Sequence, residues 1–204
     1  MSNYVEKEQD ILAHLLGDFD QEDSKVVVPF MPGMEKKLEA KPGDPKAEFL
    51  KELRSYVGIS EHGGDNKGKE VEMFQKAVDG KAQSEPWCMA AIQHAIKKVE
   101  EKLGIKSKIH KSEHCMTVWN LTPKECRLEK PEPGCIVIWQ FGATDKGHTG
   151  GVESIKKNGR LQTLEGNTGP SNGEVEREGD GFYEKDRSAT GTPKMKIKGF
   201  LKVF

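Results

Sequence analysis

The sequence predicts an α+β fold with N-terminal helices packed on an antiparallel sheet. Three observations carry this. Apolar residues recur at helical spacing through the first half, most clearly over Cys88–Leu103. The period changes after Pro131-Glu132-Pro133-Gly134, where Cys135-Ile136-Val137-Ile138-Trp139 forms a short continuous apolar run, the pattern of a buried strand. Asn158-Gly159 then separates two further strand candidates and signals a hairpin. Helices followed by strands is an α+β order, without the alternation of a doubly wound chain.

The chain has 204 residues, enough for one domain with an appendage. Its 32 Lys and Arg balance 33 Asp and Glu, so no global basic field argues for a nucleic-acid partner. No apolar run approaches the roughly 18 residues needed to span a bilayer, and no membrane partner is expected. Residues 1–10 are acidic and polar, unlike a secretory signal peptide. The expectation is synthesis in the cytoplasm, with any export needing outside help.

Residues 1–45 form an acidic extension: ten acidic residues face five basic ones up to Asp44, a local net of −5. Val5, Ile11, Leu12, Leu15 and Leu16 predict a short amphipathic helix there, followed by an apolar run over 26–33 broken by prolines. Lys41-Pro42-Gly43-Asp44-Pro45 reads as a turn. The remaining unit, 46–204, begins with a helix over 46–57, its stripe made of Phe49, Leu50, Leu53 and Val57. A polar loop over 61–68 leads to a helix around Val71, Phe74 and Val78, closed by Asp79-Gly80. Cys88–Leu103 is the clearest helix, with Gly104 as its stop. Strands follow over 135–139, 148–156, 160–167 and 199–204, and the polar stretch 170–192 reads as loop.

A thiol nucleophile needs a lowered pKa and a partner base. Of the four cysteines, Cys88 is the one predicted at a helix N-terminus, where free N–H groups favour the thiolate. Cys115 and Cys126 fall in a mixed segment, and Cys135 heads a buried strand. A two-residue turn at Asn158-Gly159 would pair Lys157 with Arg160, Val152 with Glu165 and Gly150 with Asn167. His148, Glu165 and Asn167 would then project from one sheet face. A base and its orienter on neighbouring strands, beside a Cys at the start of a packed helix, is an arrangement for thiol chemistry.

These residues carry a resemblance. Glu85-Pro86-Trp87-Cys88-Met89-Ala90-Ala91 resembles the nucleophile motif of CHAP domains, the cysteine, histidine-dependent amidohydrolases/peptidases. Gly147-His148-Thr149-Gly150-Gly151-Val152 is similar to their histidine strand, and Thr163-Leu164-Glu165-Gly166-Asn167-Thr168 to the strand after it. Gly134-Cys135-Ile136-Val137-Ile138-Trp139 matches the strand before the histidine, and the tail with Arg187 and Ile197-Lys198-Gly199-Phe200-Leu201 resembles the close of phage endolysin versions. The resemblance implies a papain-like (CHAP/NlpC-type) fold and hydrolysis of an amide bond in peptidoglycan. It implies Cys88 as nucleophile, His148 as general base and Glu165 as orienter. Asn167 matches a fourth polar position, which either orients His148 or helps bind the oxyanion. Trp87 and Gln83 are the substrate-side candidates, Gln83 also as a second oxyanion donor.

The bond could be that of an N-acetylmuramoyl-L-alanine amidase or of a murein endopeptidase. Release by a holin or a secretion machine is expected, followed by action at the cell wall as a monomer. A protein-directed cysteine peptidase, an antibacterial effector or an inactive wall-binding module would use the same fold. No cofactor and no metal are expected. The spacing of His110, His114, Cys115 and Cys126 is near no common zinc pattern, and Lys67 and Lys69 interrupt the one calcium-like run, Asp65 to Glu70.

Overall fold

The computed structural model describes residues 35–39, 41–171 and 179–204. The helix expected around Val5 to Leu16 and the apolar run over 26–33 lie outside the described residues. The first described element is β1 (Lys36–Lys37), and the turn at Pro42-Gly43 leads into α1 (Pro45–Ser55). Asp44 caps α1 by accepting the Lys46 N–H at 2.9 Å, with Pro45 already holding a helical φ at the first turn. Phe49, Leu50 and Leu53 are its buried stripe. Next come α2 (Lys69–Asp79) and α3 (Cys88–Leu103), the latter ended by Gly104 in a left-handed conformation as the sequence predicts. A fourth helix, α4 (Cys115–Leu121), lies where only a mixed segment was expected. Its cap is His114, whose side chain accepts from the Thr117 N–H, and a His cap is a weak signal in a sequence.

The strands are β2 (Arg127–Leu128), β3 (Cys135–Phe141), β4 (Gly147–Ile155), β5 (Leu161–Thr168), β6 (Gly181–Arg187) and β7 (Met195–Lys202). Every pairing is antiparallel, in the order β2-β7-β3-β4-β5-β6. β3 pairs with β4 through Gly147 to Gly151, and β1 pairs with the far end of β4, Lys36 opposite Ile155 and Lys37 opposite Ser154. The sheet thus takes in residues from the acidic extension. Ile136, Ile138 and Leu164 join the helices in the larger core cluster, while Val137, Trp139, Val152 and Phe200 form a second cluster.

The hairpin register differs from the prediction, twice. The loop holds three residues, Lys157, Asn158 and Gly159: Lys156 O accepts from Gly159 N at 2.8 Å, and Lys156 N donates to Arg160 O at 2.8 Å. Gly159 takes φ 78°, which closes the turn at no Cβ cost. Ile155 therefore faces Leu161, one residue off the expected register. A bulge between Val152 and Ser154 shifts the pairing once more, so Val152 faces Thr163 and Gly151 faces Leu164. Two shifts of one residue equal the two-residue repeat of a strand. His148 and Glu165 consequently keep a common face, although the predicted partners were wrong.

The stretch 170–192, expected to be loop, contains β6. The reason is visible in its burial: Lys185 is 1% and Arg187 5% exposed. Charged residues stand at inward positions where the alternation rule expects apolar ones, so a buried strand reads as a polar one.

Candidate active site

The approach to Cys88 is held rigidly. Trp87 is fully buried, its ring stacked on Phe74 with centroids 5.7 Å apart and its Nε1 donating to Glu61 Oε1 at 2.8 Å. Gln75, also buried, donates to Glu85 O at 2.7 Å and to Asn66 O at 3.2 Å. Burying a Trp removes roughly 150–250 Å² from water, worth about 4–6 kcal/mol as an upper bound. Trp87 is thus a core anchor and not the substrate-side residue expected from its motif. Gln83 is exposed. Its backbone N–H donates to Glu85 Oε2 at 2.7 Å, which ties a surface turn.

Cys88 opens α3, and the His148 imidazole acts electrostatically on its sulfur. His148 Nε2 lies 3.0 Å from Glu165 Oε2, leaving Nδ1 as the ring nitrogen for Cys88. The exposures order the three: Cys88 6%, His148 1%, Glu165 0%. The thiol is outermost and the carboxylate deepest. Gly150 makes this geometry possible, because a Cβ there would stand 2.5 Å from Glu165 Cγ. Trp139, opposite His148 across β3 and β4, stacks on the imidazole with centroids 5.7 Å apart.

Glu165 has a second cationic partner that the sequence reading did not assign. Arg187 donates Nε to Oε1 at 2.9 Å and Nη2 to Oε2 at 2.7 Å, a bidentate fork, and Thr163 Oγ1 donates to Oε1. The signal that could have found it is the alternation of Lys185 and Arg187 along β6, an inward row of cations needing an anion.

The electrostatics follow from these contacts. Burial pushes the Glu165 carboxyl up, but His148 and Arg187 outweigh it and hold it down at about 2. Burial pushes His148 down, yet Cys88 and Glu165 raise it to about 9. Cys88 lies well below an ordinary thiol, chiefly through a hydrogen bond from Cys115, against burial and with help from His148. The other three thiols are all raised: Cys115 by its bond to Cys88 and by burial, Cys126 by burial, Cys135 by burial to about 12. The favoured state is therefore a thiolate–imidazolium pair backed by an ionised carboxylate.

Cys115 stands where the sequence did not place it. It is the first residue of α4, so two cysteines begin helices, and the two sulfurs are 3.8 Å apart. Asn167 also departs from expectation. With φ 55° it leaves the strand conformation, and its side chain turns to the loop before Cys88. Its Oδ1 accepts the Trp87 N–H at 3.1 Å, and its Nδ2 donates to Asn66 Oδ1, Gly179 O and Glu61 Oε1 at 3.1–3.4 Å. Both ends are engaged away from His148. Among the described residues, no group of three or more His, Cys, Asp or Glu could hold a metal ion.

Residues 80–167 match the family model of the CHAP domain. Over that span the chain is similar to a CHAP domain. That similarity points to a hydrolase of the amidase or peptidase kind, with peptidoglycan the indicated substrate. No curated protein and no solved structure matches the chain. The matched span holds Cys88, His148 and Glu165 and ends on Asn167, whereas Arg187 lies 20 residues beyond it. The α+β architecture, helices on an antiparallel sheet, is that of a CHAP or papain-like domain. No helix among the described residues is long and apolar enough to cross a membrane.

Proposed function

We propose that the protein cleaves an amide bond of peptidoglycan by a Cys-His-Glu mechanism, as an endolysin-like cell-wall hydrolase. The observation that supports this best is the buried chain from Cys88 through His148 to Glu165, with Arg187 keeping the carboxylate ionised. The Cys88 thiolate attacks the amide carbonyl carbon, forming the C–S bond and a tetrahedral oxyanion. The Cys88 N–H, free at the start of α3, faces that oxyanion. The His148 imidazolium gives its proton to the leaving amine as the C–N bond breaks. Neutral His148 then takes a proton from water, whose oxygen attacks the thioester and releases the carboxylate. Glu165 stabilises the imidazolium and fixes the ring, which leaves Nδ1 for the sulfur and the proton.

Synthesis in the cytoplasm, release by a holin or secretion machine and action at the wall complete the reading. The described part of the acidic extension, through β1, braces the outer end of β4. Purified sacculi incubated with wild type and with Cys88→Ala test the proposal. New amino termini or freed peptide stems with wild type alone are expected, and mass analysis of the fragments tells the amidase from the endopeptidase. Intact sacculi, with cleavage of unrelated proteins in their place, would move the reading to a protein-directed peptidase.

A further inference from the structure

Cys115 is the nucleophilic group nearest to Cys88 that the reaction does not consume. Its sulfur lies 3.8 Å from that of Cys88, both residues are buried, and each begins a helix. A sulfur–sulfur bond is about 2.0 Å, so bonding requires an approach of just under 2 Å. We propose that Cys88 and Cys115 form a redox modification site, closing to a disulfide with peroxide-class oxidants and reopening with dithiols.

The chemistry balances in two steps. The Cys88 thiolate attacks one peroxide oxygen; the O–O bond breaks, the sulfur is oxidised to sulfenic acid, and the departing oxygen leaves as water after taking a proton. The Cys115 sulfur then attacks the Cys88 sulfur. The S–O bond breaks, hydroxide leaves and takes the Cys115 proton as a second water, and the disulfide forms. Two thiols lose two electrons and one peroxide gains them. The contact pattern favours Cys88 as the sulfur oxidised first, because it is the one held as thiolate, and Cys115 as the resolving thiol. Without a resolving thiol, sulfenic acid proceeds to sulfinic acid, which dithiols do not reduce. Cys115 would thus convert irreversible loss of the nucleophile into a reversible one.

The proposal rests on the catalytic reading only for its consequence, silencing of Cys88, and the bond itself is read independently of activity. The full chain is treated with hydrogen peroxide, blocked with iodoacetamide and digested with trypsin without reduction. Peptides 82–97 and 112–124, which carry Cys88 and Cys115, should appear joined and two hydrogens lighter than their sum. On sacculi, activity should fall in proportion to the joined fraction and return with dithiothreitol, whereas Cys115→Ala should lose activity that dithiothreitol does not restore. A wild-type map with Cys88 as sulfinic acid and Cys115 alkylated would overturn the inference, whatever the variant does. Joined peptides from a protein that leaves sacculi intact would uphold the site and refute the proposed substrate.

Discussion

Replacing Arg187 with Met tests the part of the site that lies outside the matched span. Arg187 is 5% exposed and forks onto both oxygens of a fully buried Glu165. Met keeps much of the volume and removes the charge. Breaking a buried ion pair by deleting one partner costs about 3–5 kcal/mol, a fall in Tm of roughly 6–20 °C for a domain of this size. The double variant Arg187→Met, Glu165→Gln should regain part of that loss, because neither charge is then left buried without its partner. The pH profile separates positioning from simple destabilisation. Glu165 now divides its charge between Arg187 and the imidazolium. Without Arg187 it acts on His148 alone, so the imidazolium is favoured further. The alkaline limb of kcat/KM, set by His148 near 9, should stay or move upward while kcat falls. Initial rates on sacculi across the pH range, with thermal unfolding followed by circular dichroism, provide both readouts. An unchanged Tm, or an alkaline limb that moves down, would refute the reasoning.

Glu165→Gln should do the opposite to the profile: against the effect of burial, Cys88 and Glu165 together raise His148 from 6.5 to about 9, so without the carboxylate the alkaline limb should fall and kcat should drop roughly 10²- to 10³-fold, as pH–rate measurements would show. Asn167→Ala should leave both limbs in place, because Asn167 acts on the loop before Cys88; baring the Trp87 N–H should cost about 1–3 kcal/mol, measurable by urea unfolding, and a shifted limb would return Asn167 to His148. Glu165 has a folded value of about 2 against 4.5 unfolded, so its stabilisation is complete above 4.5 and lost as pH falls toward 2. Wild type should lose stability through that range, and a Glu165→Gln protein should show a flatter acid limb in denaturant titrations.

Much of this site was legible because its signals are local. Cys88 at the head of an amphipathic helix, the glycine that stops that helix and the strand run over 135–139 each follow from a few neighbouring residues, and helix and strand periods are properties of a short window. The pairing of His148 with Glu165 was legible for a subtler reason: strand faces repeat every two residues, so a longer loop and a bulge together returned the same face. Three features belong to the tertiary structure alone. Trp87 is core because Phe74 and Glu61 close over it from other elements. Arg187 sits inside because Glu165, 22 residues earlier, supplies the charge that offsets its burial. Cys115 meets Cys88 across 27 residues because two separate helices begin at one place. A sequence window carries the period of an element but not what will pack against it, and desolvation and charge pairing depend on the neighbours that folding brings.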